Sequence, residues 1–546
     1  MKPHKMLRSL FPFLLLLSTS LAAQDADPTP EGDRAAVDEP LFPDFEVQDE
    51  QDGGISVKVA EDRVREKLFG PGKALELTVD AALAISETNN LGLEIEDVNT
   101  EVARFNASGS WGAFDWVFDA GGRYVSSKSD GFYIGGSQIV PGSEQQNTAF
   151  DLGFSRPLRT GGTFALTFNT EQERTWRNPS GSQPGSTSDR TTDSLGVTFT
   201  QPLLRGFGVD YATSTQREQD VLYLKQLERR REVRQRLLGD VHDAYWELVR
   251  TRQQLEIAAQ SLDLGLEQLE RNRRMLDAGV GTEVEVIQAE AEVAKRIETL
   301  LSAEVAMHVS GDALKALLFP GKDPASWETE LVPITALPED TTVEVAPWDQ
   351  LLAVASEYRP ELRQQRLEID AAEIRHERAV SERYLGLDLE LSATGAGEDD
   401  SARLAAEESW KFTNPRYVAG LRFNAPINNR TRRFAEHAAR SRMRAAHLAF
   451  DQVMTQVVGE VRNAVRQVAY QSESVRAAGK SLEAARRQLE AEEARYRNDL
   501  STNFQVLEYQ LRLAEAMNSE QTARVNYAKS LYQLQVVQGT VGEPGR

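Results

Sequence analysis

The sequence predicts an α+β chain built from two copies of one unit, with long coiled-coil helices flanking strands fit for a membrane-embedded sheet. Three observations carry this. The first is an internal duplication at a shift of about 220 positions. Gly239-Asp240-Val241 falls on Gly459-Glu460-Val461, Ser261-Leu262 on Ser481-Leu482, Thr282 on Thr502 and Val286 on Val506. Upstream the shift becomes about 224, because Phe199 and Pro202 fall on Phe423 and Pro426. The second is sustained heptads. Leu255, Leu262, Leu269 and Leu276 are answered by Val475, Leu482, Leu489 and Tyr496. Val286, Val293, Leu300, Met307 and Leu314 are answered by Val506, Leu513, Glu520, Tyr527 and Leu534, with one polar break. The third is period-two alternation with aromatics between the helical stretches.

From the N-terminus, Lys2, Lys5 and Arg8 precede an apolar run, Leu10 to Leu17, and then Ser20-Leu21-Ala22-Ala23. This pattern predicts a secretory signal over residues 1–23. Its removal would take the formal charge of −22 to about −25. Residues 24–74, rich in Asp, Glu, Pro and Gly, read as a flexible acidic leader. The first repeat spans 75–318: a helix from Val79 to about Ser108, strands over about 114–202, a long helix from Ala212 to Asp277, and a return helix from Glu283 to Leu318. A connection covers 319–347, which the family resemblance given below makes equatorial. The second repeat spans 348–538: a helix from Trp348 to Arg383, strands over about 385–426, a long helix from Arg430 to Arg497 and a short one from Asn503 to Val537. A tail of 539–546 follows. At 1.5 Å per residue each long helix is about 100 Å, so one long helix is matched by two short ones end to end. Such a layer is a wall segment, not a globule.

The strands read as Trp116–Tyr124, Phe150–Phe154, Phe164–Phe168, Leu195–Phe199, Leu385–Leu391 and Val418–Phe423. The connections at Ser126–Thr148 and Arg174–Thr192 are long and polar, as outer loops would be, whereas Arg159-Thr160-Gly161-Gly162 is short, as an inner turn would be. Four strands cannot close a barrel and six make a very narrow one, so several chains must pool their strands.

Composition narrows the function. An excess of 84 acidic over 62 basic residues disfavours nucleic-acid binding. The chain has no cysteine, which removes disulfides, thiolate sites and N-terminal lipidation. No segment after the leader has eighteen consecutive apolar residues, so a membrane crossing would have to be a β-barrel. His242, His308, His376 and His437 are scattered without metal-binding spacing, Gly206-Phe207-Gly208 lacks the later glycine of a nucleotide loop, and Asp399-Asp400 lies in a polar stretch. Neither a catalytic residue nor a cofactor or metal site is expected.

The chain resembles the TolC-like outer-membrane efflux proteins over roughly residues 75–538. The likeness rests on the duplicated plan and on Leu77-Thr78-Val79-Asp80-Ala81-Ala82-Leu83, Gln201-Pro202-Leu203-Leu204-Arg205-Gly206-Phe207-Gly208 and Ala278-Gly279-Val280-Gly281-Thr282. The resemblance implies a homotrimer whose outer-membrane β-barrel has twelve strands, four per chain, continuous with a long periplasmic α-helical barrel. An apparent extra hairpin, Phe150 to Gln172, raises the alternative of six strands per chain.

The resemblance further implies a passive exit channel, in outer-membrane lipid, for small toxic molecules such as drugs or metals. Its partners would be a periplasmic adaptor and an inner-membrane transporter of RND, ABC or MFS type. Docking and closure would fall on two hairpin tips: Gly279, Val280, Gly281 and Thr282, and Asp499, Leu500, Ser501 and Thr502. Matching the family's acidic aperture are Gln505 and Glu508, with Glu285 and Gln288 in the first repeat; the single acid among the second pair weakens a charge ring. The exit channel of type I protein secretion is an alternative. A structural coiled-coil protein of the periplasm is an alternative of another class.

Overall fold

A computed structural model describes residues 74–134, 138–178, 184–319, 321, 327–338, 345–498 and 500–542. The expected signal segment, the leader up to residue 73, Asp499 and tail residues 543–546 lie outside the described residues.

The first repeat opens with β1 (Ala74–Leu77), α1 (Val79–Asn89) and α2 (Leu91–Ser110). The single expected helix is thus two. Asn90 takes an extended conformation, and its side-chain oxygen accepts from Gly92 N–H at 2.9 Å and Leu93 N–H at 3.2 Å, which caps α2. Four strands follow in the main sheet, β2 (Val117–Ser129), β5 (Ser143–Pro157), β6 (Thr163–Arg177) and β7 (Ser186–Pro202), with a small hairpin of β3 (Phe132–Ile134) and β4 (Gln138–Val140) between the first two. Next come a single turn, α3 (Val209–Ala212), the long α4 (Ser214–Asp277) and its return α5 (Glu283–Leu318).

The connection between the repeats supplies β8 (Glu330–Pro333), which pairs in parallel with β1. The second repeat runs α6 (Trp348–Tyr358), α7 (Pro360–Arg383), β9 (Gly386–Asp399), α8 (Ala402–Trp410), β10 (Asn414–Asn424), α9 (Arg430–Arg497) and α10 (Asn503–Gln538). Pro360 at the first helical position breaks the expected Trp348–Arg383 helix, since proline forces the residue before it out of helical geometry.

The long helices have 64 and 68 residues and the return helices 36 each, so the plan of one long helix beside two short ones holds in both halves. Where α1 and α5 meet, Asn89 Nδ2 donates to the carbonyl of Leu318 at 3.2 Å and Asn90 Nδ2 to that of Leu317 at 3.5 Å. The stacked short helices are thereby joined through carbonyls that a helix end leaves unpaired. The heptads bury as expected: Val286, Val293, Leu300, Met307 and Leu314 all lie in the core, as do Val475, Leu489, Val506, Tyr527 and Leu534. The polar break, Glu520, is also buried and is held by Arg524. Ion pairs tie α4 to its neighbours in its first third: Arg230 to Asp97, Arg234 to Glu87 and Lys225 to Glu368.

The main sheet is antiparallel throughout, in the order β10-β9-β7-β6-β5-β2. Six strands therefore replace the four expected as the base plan. The added pair is β5–β6, an unbroken ladder of fifteen residue pairs from Ser143↔Arg177 to Pro157↔Thr163. Its turn is fastened to the strand-to-helix transition. Gln201 Nε2 donates to the Thr160 carbonyl at 3.0 Å, Gly208 N–H donates to the same oxygen at 3.1 Å, and a Cβ on Gly161 would strike the Gly206 carbonyl. Gly161, with φ +88°, also needs glycine's freedom.

The sheet is two-sided. One face carries Phe118 and Tyr124, Phe150, Leu152 and Phe154, Phe164 and Phe168, Leu195 and Phe199, Leu387, Leu389 and Leu391, then Tyr417, Leu421 and Phe423. The other carries Asp119 and Arg123, Asn147 and Asp151, Asn169, Ser194, Asp388 and Glu390, Arg416 and Arg422. At the end away from the long helices, α8 lies across the apolar face. Its Ala405 and Ser409 sit so close to Gly395 and Gly397 that a Cβ at either glycine would strike helix backbone. No periodicity marks this helix in the sequence, because the expected polar stretch at Asp399-Asp400 continues directly into it.

Candidate functional site

The two hairpin tips are built alike. After Asp277, Gly279 adopts φ +73°, and Val280 and Gly281 N–H groups donate to the Met275 carbonyl at 3.0 and 2.9 Å. This closes the helix with a left-handed cap that favours glycine. A Cβ at Gly281 would approach the backbone of Met275 and Leu276 within about 3 Å, so close chain approach demands the second glycine. Thr282 then starts α5 with a capping box: its Oγ1 accepts from Glu285 N–H at 3.4 Å, and Glu285 Oε2 accepts from Thr282 N–H at 2.9 Å. At the second tip Leu500 N–H donates to the Arg495 carbonyl at 2.9 Å, and Thr502 with Gln505 repeats the capping box at 3.4 Å in both directions. Ser501 Oγ bonds Glu492 and donates to Gln505 Oε1 at 2.8 Å.

These contacts give the four aperture positions different tasks. Glu285 and Gln505 are the reciprocal partners of their own N-caps. A capping box accepts either Glu or Gln at that position, so the amide at Gln505 keeps the local structure that an acid would give. Glu508 pairs with Arg512 at 2.6 Å, which offsets its charge, and Gln288 is exposed on the outer side of α5. The apolar tip residues are strongly exposed: Val280 by 73%, Leu500 by 69% and Phe504 by 62%. Exposed apolar side chains gathered on turns mark an interaction surface.

Just behind the tips lies a polar seam that the heptad reading missed. Gln268 and Asn272 of α4 and Asn503 of α10 are buried. Gln268 Nε2 donates to Asn503 Oδ1 at 2.6 Å and to Asn272 Oδ1 at 3.0 Å, and Asn272 Nδ2 donates to the Glu285 carbonyl at 3.1 Å. About two turns further in, Arg296 of α5 is buried and donates to the Ser261 carbonyl at 2.6 Å and to Gln510 Oε1 of α10 at 3.3 Å; Glu292 stands 3.2 Å away. Gly265 makes room for it, since a Cβ there would lie 3.0 Å from Arg296 Cδ. The first hairpin is thereby bonded to the second at two levels. A mid-helix glycine among heptads, with Gln268 and Asn272 close behind it, was the sequence signal available.

Further along, His242 is buried between α4 and α10, stacked on Tyr532 with ring centres 3.9 Å apart. Its Nε2 accepts from Trp246 Nε1 at 3.0 Å, and the Asp243 carboxylate stands 4.0 Å from Nδ1. Burial pulls its pKa below the ordinary 6.5, against the opposing pull of Asp243. Burial, with Glu87 and Asp80, pushes Tyr532 up to about 12. Among the described residues no cluster of His, Cys, Asp or Glu could hold a metal, and no helix is long and apolar enough to cross a membrane.

Duplicated long helices joined to a sheet with one apolar and one polar face define the class of outer-membrane channels that carry a helical extension. The sequence matches the model of the outer membrane efflux protein family over residues 150–318 and 351–540, and the chain belongs to that family. It is accordingly an outer-membrane efflux channel of a Gram-negative bacterium, with a large periplasmic portion, and not an enzyme. No curated protein matches it. Among solved structures it is similar in fold to the channel CusC (TM-score 0.61, 14% identity, 86% of this chain and 93% of that one). It is similar as well to the CmeC outer membrane channel of Campylobacter jejuni (0.60, 14%, 85% of each). A third is the outer membrane protein VceC of Vibrio cholerae (0.57, 16%, 84% and 96%).

Proposed function

We propose that the chain is the passive exit duct of a tripartite efflux system, assembled as a homotrimer that conducts small toxic molecules delivered by an inner-membrane pump. The observation that carries this is the pair of open edges on one two-faced sheet. β2 and β10 each pair on one side only, and both carry exposed aromatics. Unpaired backbone of that length cannot rest in lipid, so it must be closed by further copies. The helical layer has a matching open edge. Leu91, Ile95, Val98, Val102 and Phe105 of α2 form an exposed apolar stripe at helical spacing, and α5 likewise exposes Leu301, Val305 and Val309.

In this reading Gly279, Val280, Gly281 and Thr282, with Asp499, Leu500, Ser501 and Thr502, dock a periplasmic adaptor. The polar seam of Gln268, Asn503, Arg296 and Gln510 holds the two hairpins together in the closed state. Closure then relies on packing and hydrogen bonds more than on an acidic ring at Glu285, Gln288, Gln505 and Glu508. The test is export. Deleting the gene should raise intracellular accumulation of a fluorescent pump substrate, and Val280→Asp with Leu500→Asp should do the same at normal outer-membrane levels. Unchanged accumulation in both would refute the reading.

A further inference from the structure

We infer that this channel closes with eighteen strands, through a β10-to-β2 seam in which Phe423 of one copy faces Phe118 of the next. The inference rests on the trimeric reading above and deepens it. Two features make β5–β6 part of the wall rather than an appendage. Its strands carry the same apolar face as their neighbours, and its turn is bonded to Gln201 and Gly208 at the foot of β7.

The register supplies the geometry. One rung runs Phe118, Phe154, Leu166, Val197, Ala393 and Tyr417 across all six strands. The apolar band does not follow that rung. On β2 it reaches from Trp116 up to Tyr124, whereas on β10 it reaches from Phe423 only up to Tyr417. Its upper limit therefore falls by six residues, from Tyr124 to the rung of Phe118, over five strand steps, and its lower limit by four. The mean is about one residue per strand. With about 3.3 Å per residue against about 4.8 Å between strands, the strands tilt by about 35° to the band, within the range that closed membrane barrels require.

Closure by symmetry then fixes the seam. One residue per strand over six strands gives a shift of about six residues per chain, and the shift must be even to keep apolar side chains on one face. A shift of six places Tyr417 opposite Tyr124, Ala419 opposite Gly122, Leu421 opposite Ala120 and Phe423 opposite Phe118. Aromatics meet at both margins of the band, and a large side chain meets a small one between them, as cross-strand packing favours. Barrel diameter grows roughly in proportion to strand number, so the outer duct is about one and a half times as wide as a twelve-stranded one. Cargo that passes the hairpin tips then meets no narrower strand-built point beyond them.

Because the chain has no cysteine, paired cysteines report the seam directly. Ala120→Cys with Leu421→Cys should cross-link on mild oxidation into covalent species of up to three chains, since opposed residues lie within disulfide reach. Ala120→Cys with Tyr417→Cys, four residues out of register, should not. Single-particle imaging of the unmodified protein in nanodiscs counts the strands and decides if a variant fails to assemble. A threefold ring crossed by eighteen strands is the expected result. A threefold ring of twelve, with β5–β6 outside the wall, overturns this inference and leaves the exit-duct reading standing. The absence of any ring overturns that reading itself. Cross-linking of the out-of-register pair alone overturns the seam.

Discussion

At the scale of single residues, the polar groups buried behind the tips stand out against an otherwise apolar heptad core. Gln268 links Asn272 to Asn503 across the two hairpins by hydrogen bonds, and Arg296 spans the same gap. Removing one partner strands the others in a low-dielectric site, which costs about 1–3 kcal/mol per unsatisfied group. Arg296→Ala combined with Gln268→Ala should therefore loosen the hairpin pair and raise single-channel conductance several-fold; unchanged conductance would mean that the seam is no latch. His242 gives a second, independent test. Its folded-state pKa lies below 6.5, so the unfolded chain binds the extra proton first. The stability it contributes is present above pH 6.5 and is lost as pH falls toward the folded value. Thermal unfolding of the oligomer should show a drop in midpoint between pH 7.5 and 5.5 that His242→Gln reduces. These residues were hidden in the sequence because none of them stands on the heptad rows of Leu255, Val286, Val475 or Val506, so the apolar periodicity passes over them.

At the scale of elements, the helix layer was largely legible. The ends of α4, α5 and α9 fall where the heptads and the Gly and Thr punctuation place them, because capping residues and 3.6-residue periodicity act locally. The breaks at Asn90 and Pro360 were not read, although each has its local cause in a side-chain cap and a fixed φ. Replacing Asn90 with Ala should cost about 1 kcal/mol through loss of the cap to α2, and more if its bond to the Leu317 carbonyl matters, as the loss of thermal midpoint would register. The tip glycine is a sharper case. Gly279→Ala forces a Cβ into a left-handed conformation at roughly 1–2 kcal/mol, and should increase protease cleavage at the first tip while leaving the second unchanged. The strands were recognised individually. Their number in one sheet was not, because pairing depends on neighbours distant in sequence, and β7 meets β9 across nearly two hundred residues.

At the scale of the whole molecule, the chain is a wall segment with open edges. Its open strand edges, its apolar helical stripe and its exposed tips are three exposed surfaces, and the proposed function gives each a different partner: lipid-embedded copies, copies in the periplasm and an adaptor. In the proposed function this chain forms a water-filled exit channel whose restriction lies at the tips. Planar-bilayer recording of the purified oligomer tests it most directly. The unmodified protein should give small, uniform conductance steps and the Arg296→Ala, Gln268→Ala variant much larger ones. Failure of both to insert, with the protein remaining an elongated water-soluble rod, would contradict it.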